Sequence, residues 1–280
     1  MAFQNTRLLL AWMDQNEAVA QLLGHFPRTD ENIAAEMERW TFARLRLSER
    51  PEYRLRTPVL SPLPPDLVAR GEAFLAREDV RRSFQGWDYT VGIVDLREVL
   101  SFQKSVVVEA VDRAAGLNLN DPAVLFSLCL PDPSAMTFSG TADPDQKGIS
   151  FSSPNPNLRV VSGKTAMVDG LPFYGFAVGY GLPFLQVVEY QGRWFVRDGY
   201  HRCYALLQRG VSKAPCLFLR AANVLQFGGI APQFFISDIL FGSRPPFLTD
   251  FLDDNLAATV TRPASGKVIR IVAQEFSVQL

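Results

Sequence analysis

The 280-residue sequence predicts an α+β fold. Three observations carry that reading: helical apolar spacing in the N-terminal third, a hairpin followed by a short helix and a buried strand over 185–219, and strand-type runs near the C-terminus. In chain order, Leu8–Leu23 sets Leu9, Trp12, Met13, Val19, Leu22 and Leu23 at helical spacing and stops at Gly24, with Pro27 just beyond. Thr29 or Asp30 can cap a second helix whose apolar face is Ile33, Met37, Trp40 and Leu45, and Pro51 prevents its continuation. Pro65 and Asp66 open a third segment with Leu67, Val68, Phe74 and Leu75 on one side. Residues 1–80 are therefore expected to be a helical N-terminal cap, its apolar faces turned to the core in preference to a partner.

The middle of the chain reads as irregular. Ser105–Ala115 is expected to be helical, Asn118–Pro122 is turn chemistry, and Pro131–Pro156 is rich in Pro, Ser, Asp and Gly, either a lid over a ligand or a surface excursion. Asn157–Val161 looks like a strand. The Ser162-Gly163-Lys164-Thr165 that follows imitates the close of a Walker phosphate loop, but Arg159 stands where its first glycine belongs, so a chance turn is expected. Gly170–Phe184 is rich in glycine and aromatics: either a buried connector, or a backbone open to a ligand with Tyr174 or Tyr180 stacking on a base. Another aromatic-rich region spans Phe227–Gly229 and Pro232–Phe251. Thr259–Thr261, the Pro263–Gly266 turn and Lys267–Val272 are expected to form a terminal hairpin packed on the core.

The chemistry concentrates at Asp198-Gly199-Tyr200-His201-Arg202. Leu185–Tyr190 and Arg193–Val196 are strand-type runs joined by Gln191-Gly192, good hairpin-turn chemistry. After Gly199 the pattern turns helical, with Cys203, Leu206 and Leu207 on one face and Arg209-Gly210 at the stop, and Ala214–Leu219 reads as a buried strand. A glycine at a strand-to-helix turn lets backbone N–H groups approach an anion, and the helix start adds unpaired donors and the positive end of its dipole. Arg202 supplies a planar fork of donors suited to phosphate, and one of only two histidines lies beside it. Packing alone is the competing explanation: Asp198-Gly199 as an ordinary turn, His201 as a cap and Arg202 in a structural ion pair.

Strand, Asp-Gly-Tyr-His-Arg, helix, Gly210-Val211 and a Pro215-led strand together resemble the core of the ParB/sulfiredoxin-like superfamily. Its usual wording at this turn is Asp-Gly-His-His-Arg, Gly-Cys-His-Arg or Gly-Glu-Arg-Arg before an alanine-containing helix; Gly199, His201, Arg202 and Ala205 match it. Tyr89–Leu100 is similar to the family's opening strand and turn, and Phe102-Gln103-Lys104 to its post-strand motif. The resemblance covers 85–108 and 183–220. It implies a mixed-sheet core over 85–222 with an insertion at 109–182, longer than most connections in compact domains, and a C-terminal extension over 223–280. It further implies a nucleoside phosphate (ATP, ADP or CTP), with Mg²⁺ where catalysis occurs, held by Gly199, Tyr200, His201 and Arg202. Relatives that phosphorylate free serine place a catalytic acid near the opening strand, which makes Asp95 and Glu98, with Asp198 at the turn, the candidate catalytic carboxylates. Tyr200 stands where sulfiredoxins carry their reactive cysteine, which argues against that repair reaction. The apolar chain after Arg220, with acidic Asp250, Asp253 and Asp254, lacks the DNA reader of partition proteins.

Composition narrows the rest. With 28 basic and 29 acidic residues, a net charge of −1 gives no electrostatic footprint for nucleic acid, which also disfavours the nuclease activity found among relatives. Cys129, Cys203 and Cys216 have neither metal-type spacing nor an even count, and are expected to pack as small hydrophobes. No apolar run reaches a spanning length and no secretory leader is visible, so a soluble cytoplasmic protein with no membrane partner is expected. Two functions remain. One is a nucleotide-dependent phosphotransferase or NTPase acting on a small-molecule acceptor; the other is a noncatalytic nucleotide-controlled switch that engages a protein partner.

Overall fold

The computed structural model of the chain describes residues 3–24, 26–54, 59–109, 114–132, 139–143, 148–153, 158–180, 184–228, 233–264 and 266–272. In chain order the elements begin with β1 (Phe3–Leu8), α1 (Gln15–Leu23), α2 (Asp30–Ser48), β2 (Leu60–Ser61), α3 (Val68–Ala76) and α4 (Glu78–Ser83). Next come β3 (Asp88–Asp95), β4 (Leu100–Ser101), β5 (Ser105–Val107), α5 (Pro122–Cys129), β6 (Ser139–Asp143), β7 (Gly148–Ser153), β8 (Leu158–Val168) and β9 (Leu171–Tyr180). The chain continues with β10 (Gln186–Tyr190), β11 (Arg193–Asp198), α6 (Tyr200–Gln208), β12 (Lys213–Arg220), α7 (Val224–Phe227), α8 (Ser237–Leu240), β13 (Ala258–Pro263) and β14 (Lys267–Val272). Helices beside mixed sheets make this an α+β protein. It divides into two compact units, Met1–Pro131 with Phe184–Pro263, and Asp132–Pro183 with Ala264–Leu280.

The first unit is built on a six-stranded sheet of order β2-β3-β12-β10-β11-β4, in which β10 runs parallel to β12 and antiparallel to β11. The strands at 89–94 and 185–196 thus share one sheet, as expected. Val187 and Val188 are both fully buried, as are Phe195 and Val196, so the central strands are covered on both faces and read as continuous apolar runs. The sheet must curl. Three strands stand between β3 and β4, about 19 Å sideways if flat, whereas the five steps from Asp95 to Leu100 reach at most about 18 Å when fully extended. Phe102, Phe195 and Phe227 fill the core, with Phe102 stacked on Phe195 at 5.0 Å and edge-on to Phe227 at 4.5 Å. A second sheet places β1 between β13 and β5.

Several expectations are corrected here. The N-terminal helix is shorter than its apolar run: Phe3–Leu8 is a strand, Leu10–Trp12 a 3-10 turn, and α1 starts only where the Asp14 carboxylate accepts the Glu17 N–H at 2.9 Å. The N-terminal segment therefore contributes strands β1 and β2 to the sheets as well as helices. Thr29 caps α2 as expected, accepting from the Asn32 N–H, but the buried stripe is Ala43 and Leu47, while Met37 and Leu45 face solvent. Ser105–Val107 is a strand, because the β-branched run Val106-Val107-Val108 suits pairing with β1 better than a helix; residues 110–113 of the expected helix lie outside the described residues. The expected terminal hairpin does not form. β13 pairs with β1 and β14 with β7, each with a partner far away in sequence.

The second unit contains a three-stranded sheet of order β14-β7-β6 and the two-stranded β8-β9 pair. Of the expected loop over 131–156, residues 139–143 and 148–153 are strands, and 133–138, 144–147 and 154–156 lie outside the described residues. Ser162–Thr165 is not a turn but the middle of β8, paired residue by residue with β9. Gly170 closes the turn before β9, and 171–180 is an exposed strand in place of a buried connector; 181–183 lie outside the described residues.

Candidate anion-binding turn

The hairpin that delivers the turn is set by local chemistry. Gln191 and Gly192 take φ of 52° and 72°, the paired positive values of a two-residue turn whose twist matches the strands. β11 then runs from Arg193 to Asp198, and Gly199 stops it in the left-handed region with φ 93° and ψ 17°. A Cβ at Gly199 would stand 3.1 Å from the Leu185 Cα, so both the dihedral and the packing call for glycine. The first backbone bond of α6 is Cys203 N–H to Gly199 O at 2.9 Å, and no side chain caps this end. The N–H groups of Tyr200, His201 and Arg202 therefore point out of the helix start, and the positive end of the dipole lies there.

The Asp198 carboxylate accepts the Gly199 N–H at 2.6 Å, which keeps that donor from a ligand. The Tyr200 side chain is buried and its hydroxyl donates to the Val196 carbonyl, so Tyr200 pins α6 to β11 and offers only its backbone to the turn. Burial also pushes its phenol well above the ordinary value. His201 is half-buried. Arg202 is half-buried too, and its Nη1 donates to the Cys129 carbonyl at 3.1 Å, tying α6 to the end of α5. This bond to a backbone carbonyl is a structural one.

A second arginine escaped the sequence reading. Arg197, two residues before Gly199, donates to Gln186 Oε1 at 2.7 Å and lies over the Trp87 ring at 5.0 Å. The signal that could have marked it is a basic residue directly before Asp-Gly at a strand end. Cys203 and Cys129 are fully buried thiols; burial pushes Cys129 up to about 12 and Cys203 higher, so both pack as hydrophobes and neither is a nucleophile.

Asp95 and Glu98 lie together at the end of β3. Asp95 ends β3 and accepts from the Arg97 backbone N–H, Nε and Nη2 at 3.0, 2.9 and 2.6 Å, and these bonds hold its carboxyl below the ordinary range. Glu98 follows in the same tight turn, its N–H donating to the Asp95 carbonyl. Its charge acts on Tyr53, whose ring carries the Arg193 guanidinium at 4.6 Å. Arg193 begins β11 and Asp198 ends it, a separation of about 17 Å. Among the described residues, no three His, Cys, Asp or Glu side chains come together to hold a metal ion. A cavity of about 520 Å³ opens elsewhere, at the β2–β3 edge between Leu60, Leu63, Gly71, Leu75 and Val91. No helix among the described residues is long and apolar enough to cross a membrane. Set against protein-family models, curated proteins and solved structures, the chain matches none of them.

Proposed function

We propose that the chain binds a nucleoside phosphate at the Asp198–Arg202 turn and serves as a noncatalytic, nucleotide-controlled binding module of the ParB/sulfiredoxin-like type. The observation that carries this reading is the left-handed Gly199 between the end of β11 and a nine-residue helix whose start no side chain caps. A turn of that kind directs successive backbone donors and a dipole toward one anion. The match of Gly199, His201 and Arg202 to the superfamily's phosphate grip supports the same ligand class. Binding is put before catalysis because the Asp95 carboxylate is already taken up by three hydrogen bonds from Arg97. Phosphotransferase or NTPase activity is the second reading. Asp198 favours it, since its carboxylate lies at the turn itself.

The test is thermal unfolding of the full chain with ATP, ADP, CTP and GTP, with and without Mg²⁺, because a ligand selective for the folded state raises its stability. A shift with at least one nucleotide in the absence of Mg²⁺ is expected. Arg202→Ala should weaken calorimetric binding by about 1.5–3 kcal/mol, His201→Ala should weaken it without loosening α5, and Cys203→Ser should leave it nearly unchanged. No shift with any nucleotide would reduce the turn to a structural one, and release of product from bound nucleotide would establish the second reading.

A further inference from the structure

β8 and β9 form a long antiparallel hairpin closed by Asp169-Gly170, whose φ values of 51° and 79° again give a two-residue turn with strand-matched twist. The register sorts its residues by face. Val160, Thr165 and Met167 pair with Val178, Tyr174 and Pro172, with Phe176 on the same side, and this face carries no charged residue. The opposite face carries Arg159, with Ala166, Phe173 and Gly175. The uncharged face is ordered: the Tyr174 and Phe176 rings meet edge to face at 5.2 Å, and Tyr174 lies across Gly163, where a Cβ would collide with its hydroxyl. It is also open, with Met167, Tyr174, Phe176 and Val160 exposed by 68, 63, 54 and 45%. A two-stranded hairpin is marginal alone in water, and an apolar sheet face calls for a second layer.

We infer that the second layer is another copy of this chain, two hairpins meeting by their uncharged faces. A two-fold contact sets a patch against itself, so charge of one sign on the patch would repel its own copy. The uncharged face avoids this, and the face bearing Arg159 does not. The exposed parts of the six side chains Val160, Thr165, Met167, Pro172, Tyr174 and Phe176 amount to about 600 Å² per copy, or about 1,200 Å² for the pair, the lower bound for a stable specific interface. Packed face to face, the two hairpins form four strands in two layers about 10 Å apart.

Sedimentation of the full chain across a dilution series tests this. The wild type is expected to sediment at twice the monomer mass, Tyr174→Ser with Phe176→Ser at the monomer mass, and Phe173→Ser, on the opposite face, still as the dimer. Cross-linking gives a second readout that does not depend on the double variant folding. Because Cys129, Cys203 and Cys216 are buried, a bismaleimide should join copies of Thr165→Cys and leave Ala166→Cys unjoined. A monomeric wild type, a dimer indifferent to the paired serines, equal cross-linking at both positions, or a monomer that floats with phosphatidylcholine vesicles would each overturn the inference.

Discussion

Replacing Gly199 by alanine separates two effects that the strand-to-helix turn combines. The first is conformational: with φ at 93° the residue lies in the left-handed region, where a Cβ costs about 1–2 kcal/mol. The second is steric. The new methyl would stand 3.1 Å from the Leu185 Cα, and Leu185 is poorly able to retreat, since its N–H donates to Cys129 O at 2.8 Å and its carbonyl accepts from Leu217 at 2.9 Å. Overpacking against fixed backbone adds about 1–3 kcal/mol, so Gly199→Ala should lose about 2–5 kcal/mol in all. Gly192→Ala is the internal control. Its φ is 72° but nothing lies within 4 Å of the added methyl, so only the conformational part, about 1–2 kcal/mol, should appear. Urea unfolding followed by far-UV circular dichroism reads both, and the nucleotide-dependent thermal shift should disappear at Gly199 and persist at Gly192. Equal losses at the two positions would refute the claim that Leu185 is a fixed wall behind the turn.

Three further outcomes are expected. Tyr200→Phe removes the hydroxyl that donates to the buried Val196 carbonyl and should lower unfolding free energy by about 1–2 kcal/mol in chemical denaturation. Arg50→Ala leaves the Asp250 carboxylate, 5% exposed, without the guanidinium that meets it at 2.8 Å, and should lower stability by about 3 kcal/mol, with Asp250→Asn costing less. The pH dependences of Asp250 and Asp95 should run in opposite directions. Burial raises Asp250 despite Arg50, so its contribution is full below the ordinary carboxylate pKa and fades as pH rises through the folded value. Arg97 lowers Asp95, so its contribution is present above the ordinary value and is lost as pH falls through the folded one. Melting temperature measured against pH for Asp250→Asn and Asp95→Asn should show the corresponding limb flattened in each, and an unchanged profile in either would contradict the environment assigned to it.

What the sequence disclosed is local. Thr29 before a helix, Gln191-Gly192 between strands and Gly199 before α6 all act within a few residues, so their chemistry is readable without knowing the fold. Phe3–Leu8 is strand only because β13 and β5 flank it, and the run Leu8-Leu9-Leu10 is equally good helix until those partners are known. Ser162–Thr165 was ambiguous for the same reason, its small residues being compatible with a turn until β9 pairs with them. The turn at 198–202 was legible as a turn. That Arg202 reaches back 73 residues to the Cys129 carbonyl depends on how distant elements pack and leaves no mark in the spacing.

The pairing of β1 with β13 and of β7 with β14 has a consequence for biosynthesis. Phe3 waits for Pro263, and Gly148 for Val272, so each unit keeps one raw sheet edge until nearly the whole described chain has left the ribosome. Folding of both units is therefore completed late, through contacts of very large sequence separation, which makes it slow. During that interval the nascent chain carries open strands able to pair with a neighbouring polypeptide, and its yield in the cell depends on how well those strands are shielded until their partners arrive.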